Sequence, residues 1–141
     1  MKNNFSKFAL LILLFTMSSV VLADDTKAWI NNFNSGEKTM EKALKIKKDL
    51  IKKEEFLLEA IAYFQKSIDV YPNSLVADKA HFLIAKCYMS LPFNKTANKK
   101  KALEQYEIII EYIPLSKYTD KAKEMIEKIK SEEALKPSQR D

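Results

Sequence analysis

Residues 59–80 read EAIAYFQKSIDVYPNSLVADKA, and residues 101–122 read KALEQYEIIIEYIPLSKYTDKA. Laid over each other at a step of 42, seven of the 22 positions are identical: Ala60/Ala102, Ile68/Ile110, Pro72/Pro114, Ser74/Ser116, Asp78/Asp120, Lys79/Lys121 and Ala80/Ala122. Phe64 falls opposite Tyr106. A repeat of this length is one supersecondary unit that buries its apolar face only by stacking on a neighbour.

Within each unit the apolar spacing is helical. Leu57, Ala60, Ile61, Phe64, Ile68 and Tyr71 mark one face of a helix. Ala102, Leu103, Tyr106, Ile109, Ile110 and Ile113 mark its counterpart. Between them lies a stripe of Val76, Ala80, Leu83, Ile84, Cys87 and Tyr88, and after them Tyr118, Ala122, Met125, Ile126 and Ile129. Pro72 and Pro114 end two helices, and Ser74 and Ser116 are placed to cap the next ones. Leu91 to Asn98 reads as a loop, and the lysine-rich stretch 37–51 as a helix running on toward 55. Gly36 reads as the stop of a short helix over 24–36 that carries Trp29, Ile30 and Phe33. These spans predict an all-α solenoid of antiparallel helix hairpins over 37–133, about two and a half repeats with a capping helix. A disordered tail is predicted over 134–141.

Composition narrows the function classes. One Gly in 141 residues leaves no glycine loop for phosphate and few tight turns for a β fold. Residues 1–23 read as a signal peptide. Lys2 and Lys7 precede an apolar core from Phe8 to Met17, and Val21-Leu22-Ala23 offers a cleavage site before Asp24. An uncleaved anchor from Phe8 to Leu22 would be only 15 residues, against the roughly 20 that span a bilayer. No Cys lies near the cleavage site, so no lipid anchor is expected and the predicted compartment is the periplasm.

Without Lys2 and Lys7 the balance is 22 bases to 19 acids, or +3. The bases are lysines interleaved with acids, and Arg140 is the sole Arg, so no nucleic-acid partner is expected. Cys87 is the single Cys and His81 the single His. Six residues apart on a helix they face different ways, which disfavours a nucleophile pair. Neither a catalytic motif nor a metal-ligand cluster occurs, so no cofactor, no metal and no enzyme activity are expected. Lys45, Lys48 and Lys52 fall on one helical face, and Lys99, Lys100 and Lys101 open another helix. They read as a solubilising surface, or as peripheral contacts to anionic headgroups or an acidic partner.

Ala43 and Ala85, Ala60 and Ala102, the aromatic pair Phe64 and Tyr106, and the closing prolines Pro72 and Pro114 resemble the tetratricopeptide repeat (TPR). The P-x-S-x-x-x-D-x-A run, preceded by A-x-x-x-F/Y, is similar to envelope TPR proteins of the BamD and YbgF/CpoB type. The likeness covers residues 37–130, with a step of 42 rather than 34. Glu127 stands where Ala43 and Ala85 stand in the earlier units, as a capping helix would have it. The resemblance implies a non-catalytic periplasmic adaptor for protein or peptide partners, in outer-membrane protein assembly or envelope maintenance. Its alternatives are a self-associating structural subunit, or a Tol-Pal-associated factor in cell division. In such stacks the first helix of each pair lines a concave groove. Here the groove would comprise Met40, Leu44 and Lys47, then Lys79, Phe82, Lys86 and Met89, with Lys121 and Lys128 extending its edge. That surface suits a peptide with apolar anchors and acidic flanks. A register slip of one residue would instead place Phe82 and the methionines in the core.

Overall fold

The computed structural model describes residues 27–74 and 76–135. These form five helices and no strand: α1 over 27–45, α2 over Leu50–Val70, α3 over Ala77–Ser90, α4 over Lys95–Tyr112 and α5 over Thr119–Ala134. The signal peptide over 1–23 and all but the first two residues of the predicted tail lie outside the described residues.

The 42-residue step recurs in the helix boundaries. α2 and α4 stop at Val70 and Tyr112, each two residues before its proline, because the residue ahead of a proline is pushed out of the helical region. α3 and α5 start at Ala77 and Thr119. Contacts between α1 and α2 run in opposite directions along the two helices. Trp29 stacks on Tyr71 with ring centroids 6.4 Å apart, while Phe33 meets Phe64 at 5.6 Å. The same holds for α3 and α4, where His81 reaches Gln105 and Lys101 lies over the Tyr88 ring. Lys99 of α4 bonds Glu132 near the far end of α5 at 2.6 Å.

Two apolar cores share α3. One gathers Phe33, Met40 and Ala43 with Leu57, Phe64 and Ile68, and takes Ala80, Ile84 and Cys87 from α3. The other gathers Ala102, Tyr106 and Ile109 with Ala122, Ile126 and Ile129, and takes Ala85 from α3.

Several expectations are corrected. Gly36 does not stop a helix; α1 runs through it without a break. A Cβ at Gly36 would lie 2.7 Å from two ring carbons of Phe64, so the glycine is there for close approach of α1 to α2. The long helix expected from 37 toward 55 breaks instead at 46–49. Asp49 caps the new helix, its carboxylate accepting from Lys52 N–H at 2.9 Å. The predicted loop over 91–98 is shorter, since α4 begins at Lys95. Neither Ser74 nor Ser116 is the N-cap of its helix. Ser116 Oγ accepts from Tyr118 N–H at 3.0 Å and donates to Asp78 of α3. For Ser74 the equivalent partner would be residue 36, which is a glycine, and its buried hydroxyl has no hydrogen-bond partner.

Gly36→Ala tests the close approach. In an open helix this change would gain about 1 kcal/mol from propensity. Against the Phe64 ring it should instead cost about 1–3 kcal/mol, as overpacking does, read by urea denaturation. Adding Phe64→Leu should recover some of the Gly36→Ala loss. A Gly36→Ala chain more stable than the parent would show that the ring has room to move.

Candidate functional site

The nine groove residues separate into three groups. Met40 is only 6% exposed and belongs to the first core, so it is withdrawn from the groove. Lys79 is engaged within the chain: its Nζ lies 2.6 Å from Glu37 and 5.0 Å above the Phe33 ring, bracing α3 against α1. Met89 is half-buried against the second core. Leu44 lies in the last turn of α1 and Lys47 sits in the turn after it, both exposed, and Lys128 is exposed on α5.

Phe82, Lys86 and Lys121 are brought together. Phe82 packs its ring 5.6 Å from Tyr106 and 5.0 Å from Tyr118, which joins the start of α5 to α3. Beside this contact is a cleft of about 350 Å³ lined by Phe82 and Lys86 of α3, Tyr106 of α4, and Lys121, Glu124 and Met125 of α5. Lys86 and Lys121 form no ion pair among the described residues. Tyr106 is fully buried, and its hydroxyl has no hydrogen-bond partner. Burial raises its phenol to about 12.

Sequence reasoning missed Tyr106, Glu124 and Met125. The repeat carried the signal. Shifted back by 42, Phe82, Lys86, Tyr106, Lys121, Glu124 and Met125 become Met40, Leu44, Phe64, Lys79, Phe82 and Leu83. The earlier set is apolar but for one lysine, and that lysine is paired. The later set adds a hydroxyl, a carboxylate and a second ammonium group, and neither of its lysines forms an ion pair among the described residues.

The remaining polar groups have internal roles. His81 Nδ1 lies 2.8 Å from Gln105 Oε1, a link between α3 and α4. Cys87 is buried in the first core, and desolvation raises its thiol to about 12 despite the nearby Lys86 charge. Lys45, Lys48 and Lys52 do not share a helical face, because the helix breaks between the first and the last. Lys45 instead pairs with Glu41 at 2.6 Å. Lys99 and Lys101 are held by Glu132 and by the Tyr88 ring. Among the described residues no group of acids, His and Cys could hold a metal ion, and no helix is long and apolar enough to cross a membrane. No family model matches the sequence, and neither a curated protein nor a solved structure is significantly similar to the chain.

The buried thiol and phenol set an alkaline limit. Their folded values lie above the ordinary 9.0 and 10.0, so folding favours the protonated forms. The stability they contribute is complete below about pH 9 and is lost as the pH rises toward 12. Urea midpoints should therefore fall progressively across that window. Cys87 should resist alkylation at neutral pH until the chain unfolds, since the thiolate is the nucleophile. Rapid labelling of the native chain would show that the thiol is accessible.

Proposed function

We propose that this chain is a non-catalytic, exported adaptor, a TPR-like stack of helix hairpins that holds a protein partner against α3 and α5. The observation that carries this reading is the cleft where Phe82, Lys86 and Lys121 meet, with two ammonium groups that form no ion pair among the described residues. Apolar walls with an unpaired cationic rim suit a segment with apolar anchors and acidic flanks. Export rests on the leader over 1–23, and a place in outer-membrane assembly or envelope maintenance rests on the sequence resemblance.

Phe82→Ala is a poor probe of this reading, because Phe82 also packs on Tyr106 and Tyr118. Lys86 is exposed and serves better. A photo-crosslinker at Leu44 or Lys128, carried by the chain in its own cells, should capture a defined protein. Lys86→Glu should reduce that capture without moving the melting temperature, and the loss should shrink at high salt. The recovered chain should begin at Asp24. Capture that is indifferent to charge reversal at Lys86 would remove the cleft from the interface.

Self-association is a second reading, and one observation favours it. Ile51, Leu58 and Ala62 form an exposed stripe on α2, whereas the α4 residues 42 positions after Leu58 and Ala62 are Lys100 and Glu104. Light scattering should then show a concentration-dependent dimer that Leu58→Glu dissociates. A monomer at all concentrations would exclude this reading.

A further inference from the structure

The interval between α1 and α3 and the interval between α3 and α5 are built from equivalent positions, yet of the two large rings that fill them only the second carries an unanswered polar group. Phe64 fills the first with a plain ring, fully buried against Phe33 and the Gly36 backbone. Tyr106 fills the second with the same ring plus a hydroxyl, also fully buried, and the hydroxyl finds no partner. A buried donor without an acceptor is unfavourable, and the phenylalanine of the earlier unit shows that the fold does not need one. The lysines follow the same division. Lys79 meets Glu37 across the first interval. Across the second, the position of Glu37 is taken by Lys79 itself, so Lys121 lacks the partner that Lys79 has. Lys86 replaces Leu44 on the same wall.

We propose that the α3–α5 cleft binds the side-chain carboxylate of an acidic residue, flanked by apolar residues, on a partner protein. The carboxylate would accept from the Tyr106 hydroxyl and lie between the ammonium groups of Lys86 and Lys121, while Phe82 and Met125 contact the flanking apolar groups. Glu124 of α5 lines the same cleft, so two cations face one acid there and the balance leaves room for the charge of one further acid. A carboxylate can reach the buried hydroxyl only if a lining side chain moves aside, and the half-buried, unbranched Met125 is suited to do so. This assignment rests on the adaptor reading and names the chemistry that the adaptor would select.

The test uses the chain purified from its own cells, isotope-labelled, and two capped peptides. One alternates leucine and glutamate; the other replaces each glutamate with glutamine. The glutamate peptide should shift the NMR signals of Phe82, Tyr106 and Met125 saturably, and bind at least about tenfold tighter than the glutamine peptide. Tyr106→Phe should weaken the glutamate peptide about tenfold while leaving the melting temperature unchanged or higher, because Phe64 already shows that this ring packs without its hydroxyl. Lys86→Gln and Lys121→Gln should each weaken binding and flatten its salt dependence. Equal binding of the two peptides at these signals would overturn the carboxylate assignment and leave the adaptor reading standing. Binding unchanged by Tyr106→Phe would overturn the role of the hydroxyl. Silence of all three signals with both peptides would overturn the site, while the crosslinking from Leu44 and Lys128 decides the adaptor reading separately.

Discussion

Six alanines at three repeated positions set the distance between helices in this protein. Ala43 and Ala85, Ala60 and Ala102, and Ala80 and Ala122 each stand 42 residues apart, and all six are fully buried. Where every such contact is a methyl group, helix axes come close and larger side chains must interdigitate above and below it. Gly36 carries the same constraint further, admitting the Phe64 ring where even a methyl would collide. The large buried residues Leu57, Phe64, Ile84, Tyr106, Ile109 and Ile129 are thereby held in fixed places. A longer side chain at any of these alanines would push neighbouring helices apart and open the core that depends on them.

α3 is the helix that transmits this spacing. It supplies Ala80, Ile84 and Cys87 to one core and Ala85 to the other, with Tyr88 packed against both. Its polar residues reach out along the stack in the same way. Lys79 meets Glu37 of α1, and Asp78 accepts from Ser116 just ahead of α5. The side of α3 toward α1 is filled by packing and one ion pair. The side toward α5 ends in a cleft, because Lys86 and Phe82 there face Lys121, Glu124 and Met125 rather than an apolar set. Helix boundaries that recur at a step of 42, at the ends of α2 and α4 and the starts of α3 and α5, thus enclose two unlike intervals.

Much of this was legible in the sequence, and the residues show why. The prolines, the alanines and the apolar stripes are local signals whose meaning survives folding, so four of the five helices and most core residues followed from them. Gly36 misled because a glycine after Asn-Ser is also a common helix stop; only the Phe64 ring from another helix distinguishes the two. The break at 46–49 lacked both Gly and Pro, and Asp49 was its single local mark. In the groove, Met40 and Phe82 occupy equivalent positions but differ in burial. That difference depends on what the neighbouring helix brings, and no pattern along one helix contains it. The hydroxyl of Tyr106 was visible as the departure from Phe64, but its lack of a partner is a property of the packed structure alone.

The two ends of the described stack are finished differently, and this bears on how it meets other molecules. On α5 the outward positions are charged: Glu127 replaces the alanine of the earlier units, and the Asp120 carboxylate, whose equivalent at Asp78 binds a serine of the next unit, is almost wholly in water. On α2 the exposed stripe retains Ile51, Leu58 and Ala62. A polar end resists extension and an apolar one invites cover, so contacts at the two ends cannot be alike. Head-to-tail stacking would set the apolar stripe of α2 against an α5 face that carries Glu127 and Asp120. Pairing two α2 stripes about a twofold axis would set apolar surface against apolar surface, and such a pair is closed. None of the residues that line the α3–α5 cleft belongs to the α2 stripe, so the two surfaces are distinct.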